Sequence, residues 1–163
     1  HMISTIVNEP YSKKAALMKM SIICLIMSLL VPCLAKADTS SIGTIKTIKG
    51  EVTVVRNAAP TPVHIGDLLY PEDILQTGTN SSTGIIFEDN TLLSLGPDTE
   101  IIISDYVFVP EKGLFSMIIQ MAKGTASYIS GIIGKQSPEA VAFITPDATI
   151  SIRGTQFLVK VDI

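Results

Sequence analysis

From Ile42 onward, apolar residues recur at every second position between turn residues, and this alternation strongly restricts the possible folds of the chain. A period of two places alternate side chains on opposite faces of a strand, whereas a helix needs apolar positions three and four residues apart. Glycine, proline, asparagine or aspartate occupies almost every gap, as is typical of turns. We therefore expect an all-β domain of stacked short antiparallel strands, forming a twisted sandwich or a solenoid-like arrangement.

Two regions near the start show how turn residues delimit the predicted elements. A first strand pair is expected to begin at Gly50 and end near Arg56, and residues 57–62 to form a loop, because two prolines cannot both give up a ladder hydrogen bond in a central strand. Further on, Asp67 and Asp73 belong to a repeated unit in which an acidic turn residue precedes an apolar one. We expect both carboxylates to accept hydrogen bonds from backbone amides in turns.

The segment 84–95 has the clearest local hairpin pattern. Asp89 and Asn90 suit the two positive-φ positions of a tight turn, and nearly every residue on both flanks is apolar. We therefore predict a hairpin that is covered by protein on both of its faces.

The second half of the chain contains further strand patterns and one ambiguous segment. Residues 101–103 and 106–109 predict a strand pair. Residues 114–122 fit a helix or a strand, and we favour the strand because the surroundings are β-rich and punctuated by glycine. A one-turn helix is expected near residues 137–139, with Ser137 as its N-cap. Three final strands would carry these apolar residues: Val141 and Phe143, then Ala148, Ile150 and Ile152, then Phe157, Val159 and Val161.

The first 37 residues have the three-part pattern of a secretory signal peptide. His1 and Met2 resemble a cloning scar, and an upstream segment follows them. A lysine-bearing stretch then precedes an uncharged apolar run at 21–34, which at about 14 residues is too short to span a bilayer permanently. Small side chains at Ala35 and Ala37 meet the requirement of signal peptidase, so we expect cleavage after Ala37.

Cleavage after Ala37 would leave residues 38–163 as one periplasmic or secreted domain. Two alternatives stay open: the apolar run could be retained as a membrane anchor, or Cys33 could be lipidated as in bacterial lipoproteins. Pro32 disfavours lipidation, because that motif has a small residue before its cysteine. A chain cut after Ala37 would contain no cysteine, since Cys24 and Cys33 both precede the cut. Disulfide staples and thiol catalysis would then be excluded.

The charge of the mature chain argues against two kinds of partner. Residues 38–163 hold eight Lys and Arg against fourteen Asp and Glu, a net charge of −6, compared with −3 for the whole chain. Phosphate binding needs a basic cluster, so nucleic acid is not an expected partner. The same charge disfavours adhesion to an anionic membrane, which leaves membrane contact only through an uncleaved signal segment.

Catalytic and metal-binding patterns are scarce in the mature chain. His64 is its only histidine, so neither a serine-histidine-aspartate triad nor a histidine metal cluster can be assembled. The neighbouring carboxylates of Glu88 and Asp89, and of Asp98 and Glu100, lie beside turns, where solvated or turn-capping roles are expected. We therefore expect no enzymatic activity, no metal and no cofactor.

Residues 144–157 read I-T-P-D-A-T-I-S-I-R-G-T-Q-F. This segment resembles the signature of the FecR domain family, T-P-x-A-x-I-G-I-R-G-T-x-F, with Ser151 in place of a glycine. Residues 50–54, the acidic turns at 66–78 and the hairpin at 87–95 resemble further parts of the family pattern in the same order. In the hairpin, Asn90 replaces the glycine of an F-x-D-G-T motif.

This resemblance implies an all-β, non-catalytic, exported domain. The best-known members of the family are transmembrane regulators that carry iron-siderophore signals from an outer-membrane receptor to a sigma factor. Those regulators have a long cytoplasmic helical segment before the membrane helix, so this chain resembles the free-standing exported FecR-domain proteins more than a complete anti-sigma regulator. A natural C-terminus longer than Ile163 remains an open interpretation.

Three functions are consistent with these observations. We favour a structural or protein-interaction module of the cell envelope, which binds another envelope protein or a copy of itself through exposed strand edges. A peptidoglycan-binding or other glycan-binding module is an alternative, although the chain has no Trp and few other aromatic residues. A periplasmic sensor in a cell-surface signalling system is a third possibility, and it depends on family analogy alone.

The signature segment also supplies the candidate site. Its structural or partner-contact candidates are Thr145, Pro146, Arg153, Gly154, Thr155 and Phe157. Arg153, one of two arginines in the chain, could bind a carboxylate of a partner. We favour instead an internal ion pair of Arg153 with an acidic turn residue, namely Asp67, Asp73 or Asp89.

Overall fold

The computed structural model describes residues 40–162. The predicted signal segment, its cleavage after Ala37 and the proposed domain boundary lie outside the described residues. Within the described range, no helix combines the length and the apolar character that a membrane crossing requires.

Twelve strands and one short helix make up the domain, together with two 3₁₀ turns at Pro110–Lys112 and Pro138–Ala140. The strands and the helix are β1 (Gly43–Lys49), β2 (Val52–Arg56), β3 (Ala59–Pro62), β4 (Leu68–Leu69), β5 (Ile74–Thr77), β6 (Ser82–Phe87), β7 (Leu92–Leu95), β8 (Glu100–Val109), β9 (Leu114–Ile129), α1 (Ile132–Gln136), β10 (Val141–Ile144), β11 (Thr149–Ser151) and β12 (Gln156–Val161).

The strand β9 joins two layers into one curled sheet. Its N-terminal part pairs with β8 on one side and β10 on the other, and its C-terminal part pairs with β7 and β12. Layer A therefore runs β4-β1-β6-β7-β9-β12, and layer B runs β3-β2-β5-β8-β9-β10-β11. Every pairing is antiparallel except that of β9 with β10. The all-β prediction is confirmed, as is the strand at residues 114–122, which extends to Ile129.

Gly124 lies where β9 passes from layer B to layer A. Residues up to Lys123 pair with β8, and the pairing with β12 starts at Gly124. The backbone of Gly124 has a φ of 97°, a left-handed value that L-residues rarely adopt. A Cβ atom there would also collide with the backbone and side chain of Thr99. Glycine is therefore required at this position for two independent reasons.

The core lies between the inner faces of the two layers. Alternate residues of each strand point inward, as in β6, where Thr83, Ile85 and Phe87 are buried and the intervening residues are half-buried. Aromatic rings join the layers: the Phe143 ring of layer B lies edge-on to Tyr128 of layer A, with ring centroids 6.0 Å apart. Large side chains with relative exposure below 2% include Tyr128, Phe143, Leu69, Leu75, Leu93, Ile101, Ile103 and Met117.

Several sequence predictions differ from the structure in the first half of the domain. Residues 52–56 form a single strand, β2, which pairs with β3 and β5 rather than within a local strand pair. The predicted loop at 57–62 contains strand β3, which includes both prolines. Because β3 is at the end of layer B, its prolines need not donate a ladder hydrogen bond on the outer side.

The hairpin at 84–95 also differs from its prediction. Asn90 has a φ of 65°, but Asp89 is not at a positive φ, and four residues separate β6 from β7. Leu92 is 41% exposed, so the hairpin is buried on its inner face only.

In the second half, residues 100–109 form one continuous strand, β8, rather than a strand pair. A 3₁₀ turn at Pro138–Ala140 follows Ser137, whose side chain makes no capping hydrogen bond. The helix α1 at Ile132–Gln136 was not predicted. The three final strands β10, β11 and β12 are confirmed, with β11 shorter than expected.

Candidate interaction surface

The signature residues divide between a turn and a crossover. Thr145 closes the turn between β10 and β11, because its hydroxyl accepts a hydrogen bond of 3.1 Å from the Ala148 amide. Its own amide donates to the Ala148 carbonyl at 2.8 Å. Pro146 lies exposed in this turn, where its lack of an N–H costs no ladder hydrogen bond. Thr145 and Pro146 therefore have a structural role, which is to form the turn between β10 and β11.

Residues 152–155 cross from the end of layer B to the start of β12 in layer A. Ile152 is buried, whereas Arg153 and Thr155 are exposed. Gly154 has a φ of 146°, so glycine suits the crossover for conformational reasons. Ser130 anchors the segment: its hydroxyl donates to the Gly154 carbonyl at 2.9 Å and its amide to the Thr155 carbonyl at 2.8 Å.

Phe157 completes an aromatic cluster beneath this crossover. Its ring lies 4.9 Å from that of Tyr128 and 5.1 Å from that of Phe143, centroid to centroid. The Phe143 and Phe157 rings are nearly perpendicular, a geometry that aromatic pairs favour. Phe157 therefore acts in the core, and the outward-facing members of the signature are Pro146, Arg153 and Thr155.

The internal ion pair expected for Arg153 is not present among residues 40–162. Asp73 instead pairs with Arg56, whose Nε and Nη2 donate hydrogen bonds of 2.7 and 2.6 Å to the two carboxylate oxygens. Asp67 lies beside His64. The carboxylate of Asp89 is enclosed by a separate hydrogen-bond network. Arg153 is therefore an exposed cation without an ion pair within the described part of the chain.

The Arg56 cluster stabilises the junction of β2 with the acidic turns. The Asp73 side chain is 1% exposed and also accepts a hydrogen bond of 2.9 Å from the Tyr70 amide. The Arg56 guanidinium lies 4.5 Å from the centroid of the Tyr70 ring, within cation-π range. Its hydrogen bonds to Asp73 raise the pKa of Arg56 further above its usual value. The predicted amide contacts of Asp67 and Asp73 are confirmed, since Asp67 accepts one of 2.7 Å from His64.

Asp89 is the centre of a buried polar network. Its carboxylate accepts hydrogen bonds from the amide and hydroxyl of Thr91, at 3.2 and 2.7 Å, and from the Ile133 amide at 3.1 Å. The Tyr106 hydroxyl accepts from the Asp89 amide at 3.0 Å and donates to the carboxylate at 3.3 Å. The Phe-x-Asp-x-Thr motif therefore holds α1 against the β6–β7 turn. Every polar contact of this carboxylate is internal.

No group of three or more His, Cys, Asp or Glu side chains among residues 40–162 is arranged to hold a metal ion. The buried carboxylates of Asp73 and Asp89 both accept hydrogen bonds from neighbouring protein groups, which gives each a structural role. Besides Arg153, one strand edge of the described surface has no structural partner.

Four strands lie at the ends of the two layers, and β12 is the longest of them. β3 contains Pro60 and Pro62, while β4 and β11 have two and three residues. β12 has six residues, no proline, and pairs only with β9 among the described strands. Leu158, one of its two middle residues, is 68% exposed. Short strands and prolines hinder edge pairing, so β12 is the end strand best able to accept a further strand.

An apolar row leads across the outer face of layer A toward this edge. Thr44 of β1 is the register partner of Leu68 on one side and of Ile86 on the other. Leu92 then lies opposite Ile86 and Ile129. Leu68, Leu92 and Ile129 are 47%, 41% and 41% exposed. The part of the row nearest the β12 edge therefore presents apolar side chains to solvent.

Comparison with known proteins gives a family match. A family model described as FecR protein matches residues 73–162, which include β5 to β12, the Asp89 network and the whole signature segment. No curated protein and no solved structure matches the chain significantly. A FecR domain suggests a role among regulators of cell-surface signalling. Because the matched region covers more than half of the chain, this protein belongs to the FecR family.

Proposed function

We propose that the domain is a non-catalytic protein-interaction module of the bacterial cell envelope, and that it binds its partner by strand addition at the β12 edge. The observation that carries the proposal is this edge: six residues without proline, among which Leu158 is 68% exposed. Main-chain hydrogen bonds supply affinity in strand addition, and alternate side-chain contacts supply specificity.

The envelope location is supported by the sequence of residues 1–37. Their lysines, apolar run and small residues before Asp38 are typical of an exported chain. Membership of the FecR family supports the same location, because the signalling regulators of that family have periplasmic FecR domains. We also propose that the partner of the domain belongs to a cell-surface signalling system.

The non-catalytic part of the proposal is supported by the contacts of the buried acids. A general acid or base must reach a substrate proton. The Asp89 carboxylate is instead surrounded by Thr91, Ile133 and Tyr106, and both carboxylate oxygens of Asp73 bind Arg56. His64 is exposed beside Asp67 in a turn. The carboxylates of Asp73 and Asp89 therefore stabilise the fold, which supports a non-catalytic role.

Site-specific photo-crosslinking in intact cells tests the proposal. A photoreactive residue at Leu158 of the full-length chain should form a covalent adduct with a protein. The same residue at Leu114, which is 52% exposed at the far end of β9, is the matched control and should form little adduct. Adducts with peptidoglycan only, or equal protein adducts at both positions, would overturn the strand-addition proposal. Mass spectrometry of the same sample reports the mature N-terminus, which we expect at Asp38.

A further inference from the structure

We propose that the partner at the β12 edge is a second copy of this chain, paired antiparallel to the first about a twofold axis through Leu158. This inference depends on the proposed function, because it identifies the partner at the same edge. Three properties of the edge support it: the direction of its backbone groups, the position of its charges and the exposure of Leu158.

The backbone pattern fixes which residues of β12 face outward. The Ser130 amide donates to the Thr155 carbonyl at 2.8 Å, so residues 155 and 130 form a hydrogen-bonded pair. Hydrogen-bonded and non-hydrogen-bonded pairs alternate in an antiparallel ladder. Phe157, Val159 and Val161 therefore bond to β9, and Gln156, Leu158 and Lys160 direct their N–H and C=O groups away from it. These three residues form the surface available for a further strand.

The same alternation restricts the register of two paired β12 strands. An outward-bonding residue must face another outward-bonding residue, so even-numbered positions face even-numbered ones. A twofold axis at Leu158 places Leu158 opposite its copy and Gln156 opposite Lys160 of the second copy. It also places Phe157 opposite Val159 of the second copy on the inner face. Apolar residues then meet apolar residues on both faces.

Charge selects this register over the one centred on Val159. Apolar contact selects it over the one centred on Phe157, which would place Leu158 opposite Gln156. With the axis at Leu158, Asp162 faces Gly154 of the second copy, next to Arg153. Arg153 has no ion pair among residues 40–162, and the one ion pair of Asp162 in this range is with Lys160, at 2.8 Å and with both side chains largely exposed. An axis at Val159 would instead place Lys160 opposite Leu158, and Asp162 opposite Gln156, three residues from Arg153. The register centred on Leu158 therefore brings opposite charges together at both ends of the interface.

The exposure of Leu158 and the irregularity of another open strand edge favour pairing of β12 with a second copy. Leu158 is 68% exposed and is two positions along β12 from Gln156, the register partner of the exposed Ile129, so pairing would cover apolar surface that water now contacts. On the side of β8 that faces away from β9, only residues 100–102 pair with β5, so the rest of this side is an open edge. This open part follows a register shift at Ile103/Asp105, and such a bulge twists an edge away from pairing. The register of β12 with β9 has no such shift, and self-pairing of the β12 edge gives one continuous sheet across both copies.

Disulfide trapping tests the register in the purified full-length chain, with Cys24 and Cys33 replaced by serine. Under copper-phenanthroline oxidation, Leu158→Cys should give a covalent dimer, because facing Cα atoms of a hydrogen-bonded pair are about 5.5 Å apart. The double variant Gln156→Cys with Lys160→Cys should also crosslink. Lys160→Cys alone should not, because its copy would lie opposite residue 156. Trapping of Lys160→Cys as efficiently as Leu158→Cys would overturn the register.

Molar mass by light scattering after size exclusion tests the association itself. The unsubstituted chain should have twice the mass of one chain. Leu158→Pro removes an outward N–H without touching the ladder to β9, and Leu158→Lys places two like charges on the axis. Each variant should raise the dimer dissociation constant by about 100-fold or more. Leu158→Ile is the matched control and should stay dimeric, and circular dichroism should be unchanged in every variant.

The outcomes separate this inference from the proposed function. A monomer that still forms protein adducts from position 158 in cells would overturn self-pairing and leave the interaction module in place. A monomer without adducts would overturn both. A dimer that persists in Leu158→Pro and Leu158→Lys would show that copies associate elsewhere, which would also overturn the inference.

Discussion

The carboxylate of Asp89 accepts a hydrogen bond of 3.1 Å from the amide of Ile133, 44 residues further along the chain. The N-cap position of α1 is Gly131, which has no side chain to cap the helix, and Asp89 supplies the missing acceptor from another element. The Thr91 hydroxyl accepts from the Gly131 amide at 3.1 Å and completes the contact. The helix is therefore held by the hairpin rather than by its own sequence.

Replacing Asp89 by alanine should lower the free energy of unfolding by about 3 to 4 kcal/mol, because several buried donors lose their acceptor together. Urea unfolding followed by circular dichroism measures the loss. Glu88→Ala, at the exposed neighbouring position, is the control and should change stability by less than about 0.5 kcal/mol. Similar losses in the two variants would contradict a specific role of the Asp89 network.

Removal of the Tyr106 hydroxyl and removal of the Tyr128 hydroxyl should have different effects on stability. The Tyr106 hydroxyl bonds to the Asp89 amide and carboxylate, so Tyr106→Phe should lower the free energy of unfolding by about 1 to 2 kcal/mol. The Tyr128 hydroxyl is buried and has no hydrogen-bond partner among the described residues. Tyr128→Phe should therefore be neutral or stabilising by about 1 kcal/mol. Thermal unfolding of both variants provides the comparison, and a marked loss in Tyr128→Phe would reveal a partner for this hydroxyl.

The same tyrosines should reduce stability at alkaline pH. Burial raises the pKa of Tyr106 and of Tyr128 above the ordinary value, and the Asp89 carboxylate raises that of Tyr106 further. An unfolded tyrosine titrates near pH 10, at about its reference pKa, so above this pH the unfolded chain loses a proton that the folded chain keeps. The stabilisation is complete below this pH and is lost as the pH rises toward the folded pKa. Urea unfolding at about pH 8 and about pH 11, on either side of the reference pKa, measures the free energy of unfolding. Between these two pH values, Tyr106→Phe should lose less of this free energy than the unsubstituted chain.

Gly124 and Gly113 offer a matched pair of glycine substitutions. Both have positive φ, of 97° and 63°, but only at Gly124 would a Cβ meet other atoms, those of Thr99. Gly124→Ala should lower the free energy of unfolding by about 3 kcal/mol or more, from strain and collision together. Gly113→Ala should cost about 1 kcal/mol, from backbone strain alone. Equal losses would mean that β9 does not bend against Thr99 as described.

The two arginines should differ in their contribution to stability. Arg56→Ala leaves the buried Asp73 carboxylate without its bidentate partner, and we expect a loss of about 2 kcal/mol, below the range for fully buried pairs because the Arg56 side chain is 45% exposed. Arg153→Ala should change the stability of the monomer by less than about 0.5 kcal/mol. Chemical unfolding at low protein concentration separates this effect from association. A larger loss for Arg153→Ala than for Arg56→Ala would contradict these assignments.

Most of the strands could be predicted from the sequence because strands such as β6 bury alternate residues, which leaves a period of two in the local pattern. The sequence could not predict the partner of Arg56 or the absence of an ion pair at Arg153 among residues 40–162. The Arg56 and Asp73 pair depends on the antiparallel register of β2 with β5, and one pair of residues in that register is Val55 with Ile74. Local patterns carry no information about such a register.

Two further differences have equally physical reasons. The prolines of β3 predict a loop, because the sequence does not reveal which strand lies at the end of a layer. The helix α1 escaped prediction because its acceptor, Asp89, belongs to another element, and because Ile-Ile-Gly-Lys-Gln contains a poor helix former. In the candidate site, the signature was found from sequence, whereas the exposure of β12 became visible only from the strand order.

The shared strand β9 determines when this chain can fold. Before Leu114, the pairings form two separate groups, β4-β1-β6-β7 and β3-β2-β5-β8, with no ladder between them. A nascent or translocating chain therefore holds two incomplete sheets until β9 emerges and joins them. Because these pairings connect distant parts of the chain, folding should be slow, and neither layer should survive alone. The domain should accordingly melt in one cooperative transition, with chaperone dependence greatest before β9 has docked.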